Sequence, residues 1–523
     1  MKPLPDEPFF IPRFKLETGG VDFLGMRQTN LDLREKCLPG FSNSTVQMRP
    51  FSVMCWVYWK LNQLVEAAGR DIITNSQARG FREKAEILFT WGHKLKGFEG
   101  LPGISFGPPP EHHGKVSLTF QDWHRIPSST GLMAAVNYGP ALKTTIGLGF
   151  LNPIDREVFQ PIGPGVKLAR ALDEEWQQSG LPPVLDSLDI NIGTAGDALR
   201  AFDGWSVAKP SHKEQEAFRT AFYDPSRIGS AVPIGLRSAT VSLILHVLQH
   251  AGAAMSAEDI RRGMFWGKAA FPSLALSHGE EAARHRWIVF QVRQAQRIAM
   301  EALLAWVEKR IIRNGDRDTE ALASAAEKIC GSDPSLIEGG ITGCVDHLLG
   351  HSFQGVEGAV EDGSANPDVS IFHQMERLQG CIRGELDEIV PAALRLLGLC
   401  RAYAVVLEEV AELRSSLRHG GAESLSLWTW LQTCDRSALL SLKEFLLSIF
   451  EDLVLSQHLA VATRRYDGGV VRLRVTIEED GLRALVVKPW KPAPAADKLA
   501  SGLALMAECG LVVRAPADRF AAA

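Results

Sequence analysis

Trp287, Phe290, Val292, Ala295, Ile298, Ala299, Ala302, Leu303, Trp306 and Ile311 trace one broad apolar stripe between Ala282 and Arg313. Their spacing follows the 3.6-residue period of an α-helix, a pattern that a strand or a loop does not sustain over such a length. At 1.5 Å per residue the helix would run on the order of 45 Å, long enough to be the spine of a helical domain. Further long helices are predicted at Pro391–Arg418, stopped by Gly420 and Gly421, and at Ser437–Arg465. Between them Glu357 to Pro367, rich in acids and glycine, reads as a loop.

A second helical signal lies upstream, from Leu236 to Lys268. Thr240, Val241, Ile244, Val247, Leu248 and Ala251 share one face, and Ser242, His246, Gln249 and His250 take the other. Gly252 can adopt the left-handed turn that ends such a helix. Ser256 then stands as an N-cap with Asp259 three residues on, at the positive helix end, so a second helix is predicted from Ala257. It carries Ile260 inward and Arg261 and Arg262 outward before Gly263, beyond which Met264, Phe265 and Trp266 form an apolar exit. Two short helices joined by a tight turn occur in helix-turn-helix and winged-helix DNA binders, and also as plain packing elements. If DNA is the partner, Arg237, Arg261, Arg262 and Lys268 are the phosphate contacts.

The remaining chain is less regular. Leu38 to Thr45 is dense in turn and cap residues, and Arg49-Pro50 precedes an aromatic helical run, Phe51–Leu61. Asn43, Thr45 and Arg49 at that helix start are candidates for holding a phosphate or carboxylate. The competing reading is an ordinary cap beside a core helix packed through Trp56 and Trp59. Many glycines and Pro108-Pro109-Pro110 predict long loops from Gly97 to Pro164, where Gly147 to Asn152 falls one glycine short of a dinucleotide fingerprint. At the C-terminal end Val471, Leu473, Val475 and Ile477 alternate with polar residues. They predict a strand, a hairpin turn at Asp480-Gly481, a return strand Leu482–Lys488 and a helix from about Asp497 to Glu508, together a ββα module.

Composition limits the function classes. A chain of 523 residues with a formal charge of −5 is no polycation, so any phosphate-binding surface must be local. Its eight cysteines follow no CxxC spacing and imply reduced thiols rather than a disulfide framework. No uninterrupted apolar run reaches membrane-span length and the first residues do not read as a signal peptide, so no membrane role and a cytoplasmic location are expected.

Catalytic motifs are sparse. Cys344, His347 and His351 place three zinc-ligand types on one helical stripe, but Cys344 and His351 would lie roughly 10.5 Å apart along a straight helix, too far to share a tetrahedral centre. His246 and His250 lack the glutamate of HExxH, and Glu111-His112-His113 reads as a solvated loop. There is no GxSxG elbow, P-loop or kinase signature, and no cofactor is implied.

Leu24-Gly25, Leu38 to Thr45, Arg49 and Trp56, with Arg472 to Arg474, Gly481-Leu482 and Cys509 to Leu511, resemble segments of large uncharacterised bacterial proteins found beside phage-defence genes. The resemblance implies a defence or mobile-element setting and no mechanism. The sequence thus predicts a mainly α multidomain protein: an N-terminal helical domain (1–96), a Gly/Pro-rich mixed region (97–230), a winged-helix-like unit (231–281), a long-helix domain (282–465) and the ββα module (466–523). The expected role is a non-catalytic, DNA-associated adaptor or scaffold with a protein partner subunit. The alternatives are a metal-assisted hydrolase around His347 and His351 and a purely protein-binding scaffold.

Overall fold

The computed structural model describes residues 15–16, 22–70, 72–105, 116–180, 183–188, 191–192, 210–331, 351–384, 386–466, 470–486, 488 and 490–523. It is mainly α-helical with short strands. In chain order the principal elements are α1 (Arg49–Ala67), α2 (Asn75–Leu95), α3 (Pro164–Ser179), α4 (His212–Phe222), α5 (Pro233–Ala251), β1 (Met255–Ser256) and α6 (Ala257–Trp266). There follow α7 (His278–Asn314), α8 (Thr319–Cys330), α9 (Ile371–Arg383), α10 (Ile389–Glu408), α11 (Leu427–Ser437), β2 (Val475–Glu478), β3 (Gly481–Ala484), α12 (Leu499–Glu508), β4 (Val512–Ala515) and β5 (Arg519–Ala522).

Two compact units emerge. The first holds Arg34–Arg284 and the C-terminal Ala496–Ala523, and the second holds Met1–Leu33 and His285–Ala495. The C-terminal boundary falls between the β2–β3 hairpin and α12, so the parts expected as one ββα module belong to different units.

In the first unit, Pro50 enters the first turn of α1, where its missing N–H costs nothing. Phe51 of α1 packs on Tyr138, Phe150 and Phe218 at centroid distances of 5.1, 5.7 and 5.3 Å. Trp56 meets Trp176 of α3 edge-on at 4.6 Å while its indole N–H donates to Asp173 at 2.8 Å, which satisfies the polar edge of a buried ring. The helix α5 ends at Gly252 in the left-handed conformation (φ 63°), and Ser256 and Asp259 form a reciprocal capping box that starts α6. Gly263 does not stop α6. A Cβ there would lie 2.8 Å from Val247 of α5, so the glycine serves close helix packing.

Beside these helices lies a three-stranded antiparallel sheet of order β4-β5-β1. Arg519 and Phe520 pair with Ser256 and Met255, which brings the last strand of the chain to the short strand between α5 and α6. The β4–β5 hairpin turns through Ala517 and Asp518, both at positive φ, as a tight hairpin with the right-handed strand twist requires.

The second unit is built around α7, 37 residues long and buried from Trp287 to Val307 almost without interruption. Such all-round burial encloses charged side chains, and they pair: Arg297 with Glu301 one turn on at 2.8 Å, and Glu308 with Arg474 at 2.9 Å through a second, parallel contact. The long helix expected at 391–418 ends instead at Glu408, where Arg414 bonds the terminal carbonyl at 3.0 Å. The helix expected from Ser437 begins at Leu442, capped reciprocally by Ser441 and Glu444, and stays helical to Arg464 through a π-helical stretch at Ile449–Ser456. Gly355–Ala365 is a helix where a loop was expected, because Val356, Ala359, Val360 and Gly363 recur at helical spacing and are buried. Near its tip the β2–β3 hairpin closes on Glu478 and Gly481, with Glu479-Asp480 as the turn, one residue earlier than predicted. Ile389–Glu408 and Leu442–Arg464 have the length and mean apolarity of a membrane span, and 83% and 61% of those windows are buried within the protein.

Candidate functional site

Three of the four cations proposed for DNA contact, Arg237, Arg261 and Arg262, are tied to the protein's own acceptors. Arg237 is 1% exposed and does not face solvent. Its Nε donates to the Phe222 carbonyl at 2.7 Å, one Nη to Ala221 at 2.7 Å and the other to Pro39 at 3.0 Å. Two of those carbonyls end α4, so the guanidinium caps the negative end of a helix. Burial pushes its pKa down to about 9. Gly40 is fixed by the same contact: at φ 95° a Cβ would stand 2.6 Å from the Arg237 guanidinium.

On α6, Arg261 bonds Asp497 at 2.5 Å and also contacts Glu258, while Arg262 bonds Glu258 at 3.1 Å. Two arginines facing two carboxylates leave little field for a phosphate. Lys268 is exposed. The helix α12, which leads into β4, carries no Lys or Arg, and Leu499, Ser501, Gly502, Leu503, Leu505 and Met506 are buried. Gly502 packs against the Phe41 ring, and the Lys498 amine preceding the helix bonds Glu35 and is buried to 2% exposure.

The candidate anion loop is also satisfied internally. Thr45 Oγ1 accepts the Ser42 N–H at 3.0 Å and donates to the Ser42 carbonyl at 2.7 Å, Ser44 donates to Val136 at 2.7 Å, and Asn43 is exposed. Arg49 is buried against Glu175 at 3.0 Å and Glu214 at 3.5 Å, so its charge is matched by carboxylates and it is not presented to an anion. Glu508 lies beside them and accepts the Met48 N–H. Burial raises the Glu508 carboxyl to about 7, helped by Glu214 and opposed by the Met48 N–H, Arg49 and Arg514.

That shift has a signed consequence. The folded carboxyl keeps its proton up to about pH 7, whereas the unfolded one releases it near 4.5, so this group's contribution to stability is full below about pH 4.5 and is lost as pH rises through 7. Glu508→Gln keeps an acceptor for Met48 and removes the ionisable group. At pH 8 it should raise stability by roughly 2–3 kcal/mol and flatten this part of the profile in urea melts across pH 5–8. A variant no more stable than wild type at pH 8 contradicts the assignment.

Of the zinc candidates, Cys344 and His347 lie outside the described residues. His351 stacks edge-on with Phe353 at 4.6 Å, and burial lowers its pKa. His246 contacts Glu280 at 3.2 Å, and the His250 ring bonds the His246 carbonyl at 2.8 Å. The seven described cysteines form no disulfide with one another and are buried.

Sequence reading missed a polar cluster on α2. Arg82, Glu83, Lys84, Glu86, Thr90 and His93 are all buried on a helix whose neighbours are aromatic. Arg82 holds Glu86 at 3.3 Å and also binds Glu157, while the second Glu86 oxygen accepts the Leu132 N–H at 2.7 Å. Glu83 accepts the Phe120 N–H at 2.9 Å. Burial raises the Glu86 pKa against the pull of Arg82 and Arg125. Arg82 and Glu86 line a cavity of about 330 Å³ with Phe120, Phe159, Lys143 and Arg156. A one-turn Arg–Glu pair on a helix was the available signal, but the same spacing is common on solvated faces. The second unit has a larger cavity of about 890 Å³, whose lining mixes Arg377 and Lys328 with Asp387 and Glu388.

No protein family matches the chain, and no curated protein or solved structure matches it either.

Proposed function

We propose that the protein is a non-catalytic, protein-binding scaffold whose first unit contains a winged-helix-like module, and that the module works by packing rather than by reading DNA. The order α5–β1–α6–α12–β4–β5, with β5 between β4 and β1, follows the helix–strand–helix–helix–hairpin plan of a winged helix. In this chain the larger segment of the second unit, His285–Ala495, falls between the module's second and third helices in sequence. The observation that carries the reading is α12: in the position of a recognition helix it has six of its ten residues buried and no basic side chain. A groove-reading helix needs donors facing base edges and cations facing phosphates. The bacterial defence setting rests on the resemblance of the end segments.

Fluorescence anisotropy with a labelled DNA duplex at low salt tests the proposal. The expected result is no salt-steep binding, with Arg261→Glu/Arg262→Glu indistinguishable from wild type, while a partner subunit co-purifies through nuclease treatment and high salt. Salt-steep affinity that the double variant abolishes would restore the DNA reading.

A further inference from the structure

We propose that the α2 cavity of the first unit binds a small organic anion, its phosphate or carboxylate group held by Lys143 and Arg156 and its apolar body set against Phe120 and Phe159. The volume of about 330 Å³ falls at the lower end of ligand pockets, the size of a compact metabolite rather than a nucleotide or a peptide.

Charge bookkeeping selects the sign of the ligand. Three cations line the cavity, Arg82, Lys143 and Arg156, with two carboxylates, Glu86 and Glu157. Both carboxylates are already engaged by Arg82. Among the described residues the Lys143 amine has only the Phe159 ring, 5.5 Å away, and Arg156 has no side-chain hydrogen bond or ion pair. The lining thus carries one net positive charge, and the two cations without a carboxylate partner, Lys143 and Arg156, share one concave surface with an aromatic wall, the division of labour found in pockets for small anions: apolar lining for affinity, a few charges for orientation.

The wall is built rather than adventitious. Arg82 is held between Glu86 on its own helix and Glu157 on the neighbouring strand connection, and Asn75 fixes the Glu157 backbone through a 2.9 Å bond. Leu132 anchors Glu86 from the opposite loop at 2.7 Å, and at Gly131 beside it a Cβ would crowd the Pro127 carbonyl at 3.0 Å and the Phe120 ring at 3.1 Å.

Isothermal titration of the full chain with phenyl phosphate, benzoate and inorganic phosphate at low salt tests the proposal. Phenyl phosphate or benzoate should bind with a dissociation constant below about 1 mM and more tightly than inorganic phosphate. Whichever of the two binds identifies the head group. Lys143→Glu and Arg156→Glu, both outside the packed interior, should each weaken binding about tenfold or more, and Ser128→Trp at the lining should abolish it, with thermal melting unchanged. Absence of binding by both aromatic probes at ~10 mM overturns the proposal. So does an affinity unaffected by Ser128→Trp, because the anion would then sit elsewhere.

Discussion

Arg237→Ala is expected to destabilise the protein by about 2–4 kcal/mol, because buried carbonyls that lose a charged donor cost about 1–3 kcal/mol each and removal of the buried guanidinium's own desolvation penalty offsets part of that. The substitution leaves three carbonyls, those of Pro39, Ala221 and Phe222, without their donor in a site that water does not reach. It also opens a void where the guanidinium lies 5.6 Å from the Phe222 ring centroid. Arg237→Lys should recover little, since an ammonium on a shorter stem cannot present three donors in the planar fork that these carbonyls accept. Urea unfolding followed by tryptophan fluorescence measures the loss. A cost under about 1 kcal/mol would mean that the carbonyls find other donors and that the arginine is dispensable to the fold.

The second large effect is expected at Glu308. Its carboxylate is fully buried and accepts both arms of Arg474 together with the Trp490 N–H, the last at 2.7 Å. Arg474 is further fixed by the Phe23 ring, 4.8 Å from the guanidinium carbon, and by the Lys488 carbonyl at 2.9 Å. The adjoining backbone is held by His458, whose Nε2 accepts the Arg474 N–H at 3.0 Å and whose pKa burial pushes down to about 4, so the ring is neutral at pH 7. Glu308→Ala strands the arginine and should cost about 3–5 kcal/mol. Glu308→Leu combined with Arg474→Met should be less destabilising than Glu308→Ala alone, because no unpaired charge remains. A double variant as destabilised as Glu308→Ala alone would show that the pair contributes more to stability than it costs to bury. Because the chain has two units, the melts need a second probe, such as amide hydrogen exchange, to assign each loss to its unit.

Scaffold and ligand site make separate demands on these experiments. Arg237 and Glu308 report on the interior of each unit, whereas Lys143 and Arg156 leave the interior intact and report on the cavity alone. Loss of phenyl phosphate binding with an unchanged melt would therefore leave the scaffold reading untouched.

Much of the helical plan was legible because it rests on contacts within a few residues. The α7 stripe, the left-handed Gly252, the Ser256 cap and the Val475–Ala484 hairpin all follow from local periodicity or from a side chain bonding its own backbone. Errors arose where one residue serves two purposes. Gly263 reads as a helix stop but permits close packing on Val247, and Glu408 ends a helix whose apolar pattern continues past it.

The candidate sites were less legible. Arginine at a helix surface position carries the same letter whether it faces water or three carbonyls, and neither Pro39 nor Phe222 is near Arg237 in sequence. What the sequence by itself determined is where most of the long helices lie and where the strongest caps fall, at Gly252 and Ser256, since capping and periodicity act over one or two turns. Only the tertiary structure decided that Arg519 lies beside Ala254, 265 residues away, and that α12 is an interior helix. It also decided which charges are already paired. Burial and ion pairing depend on which distant segments share a core, and that is settled by packing the whole chain rather than by any local stretch of it.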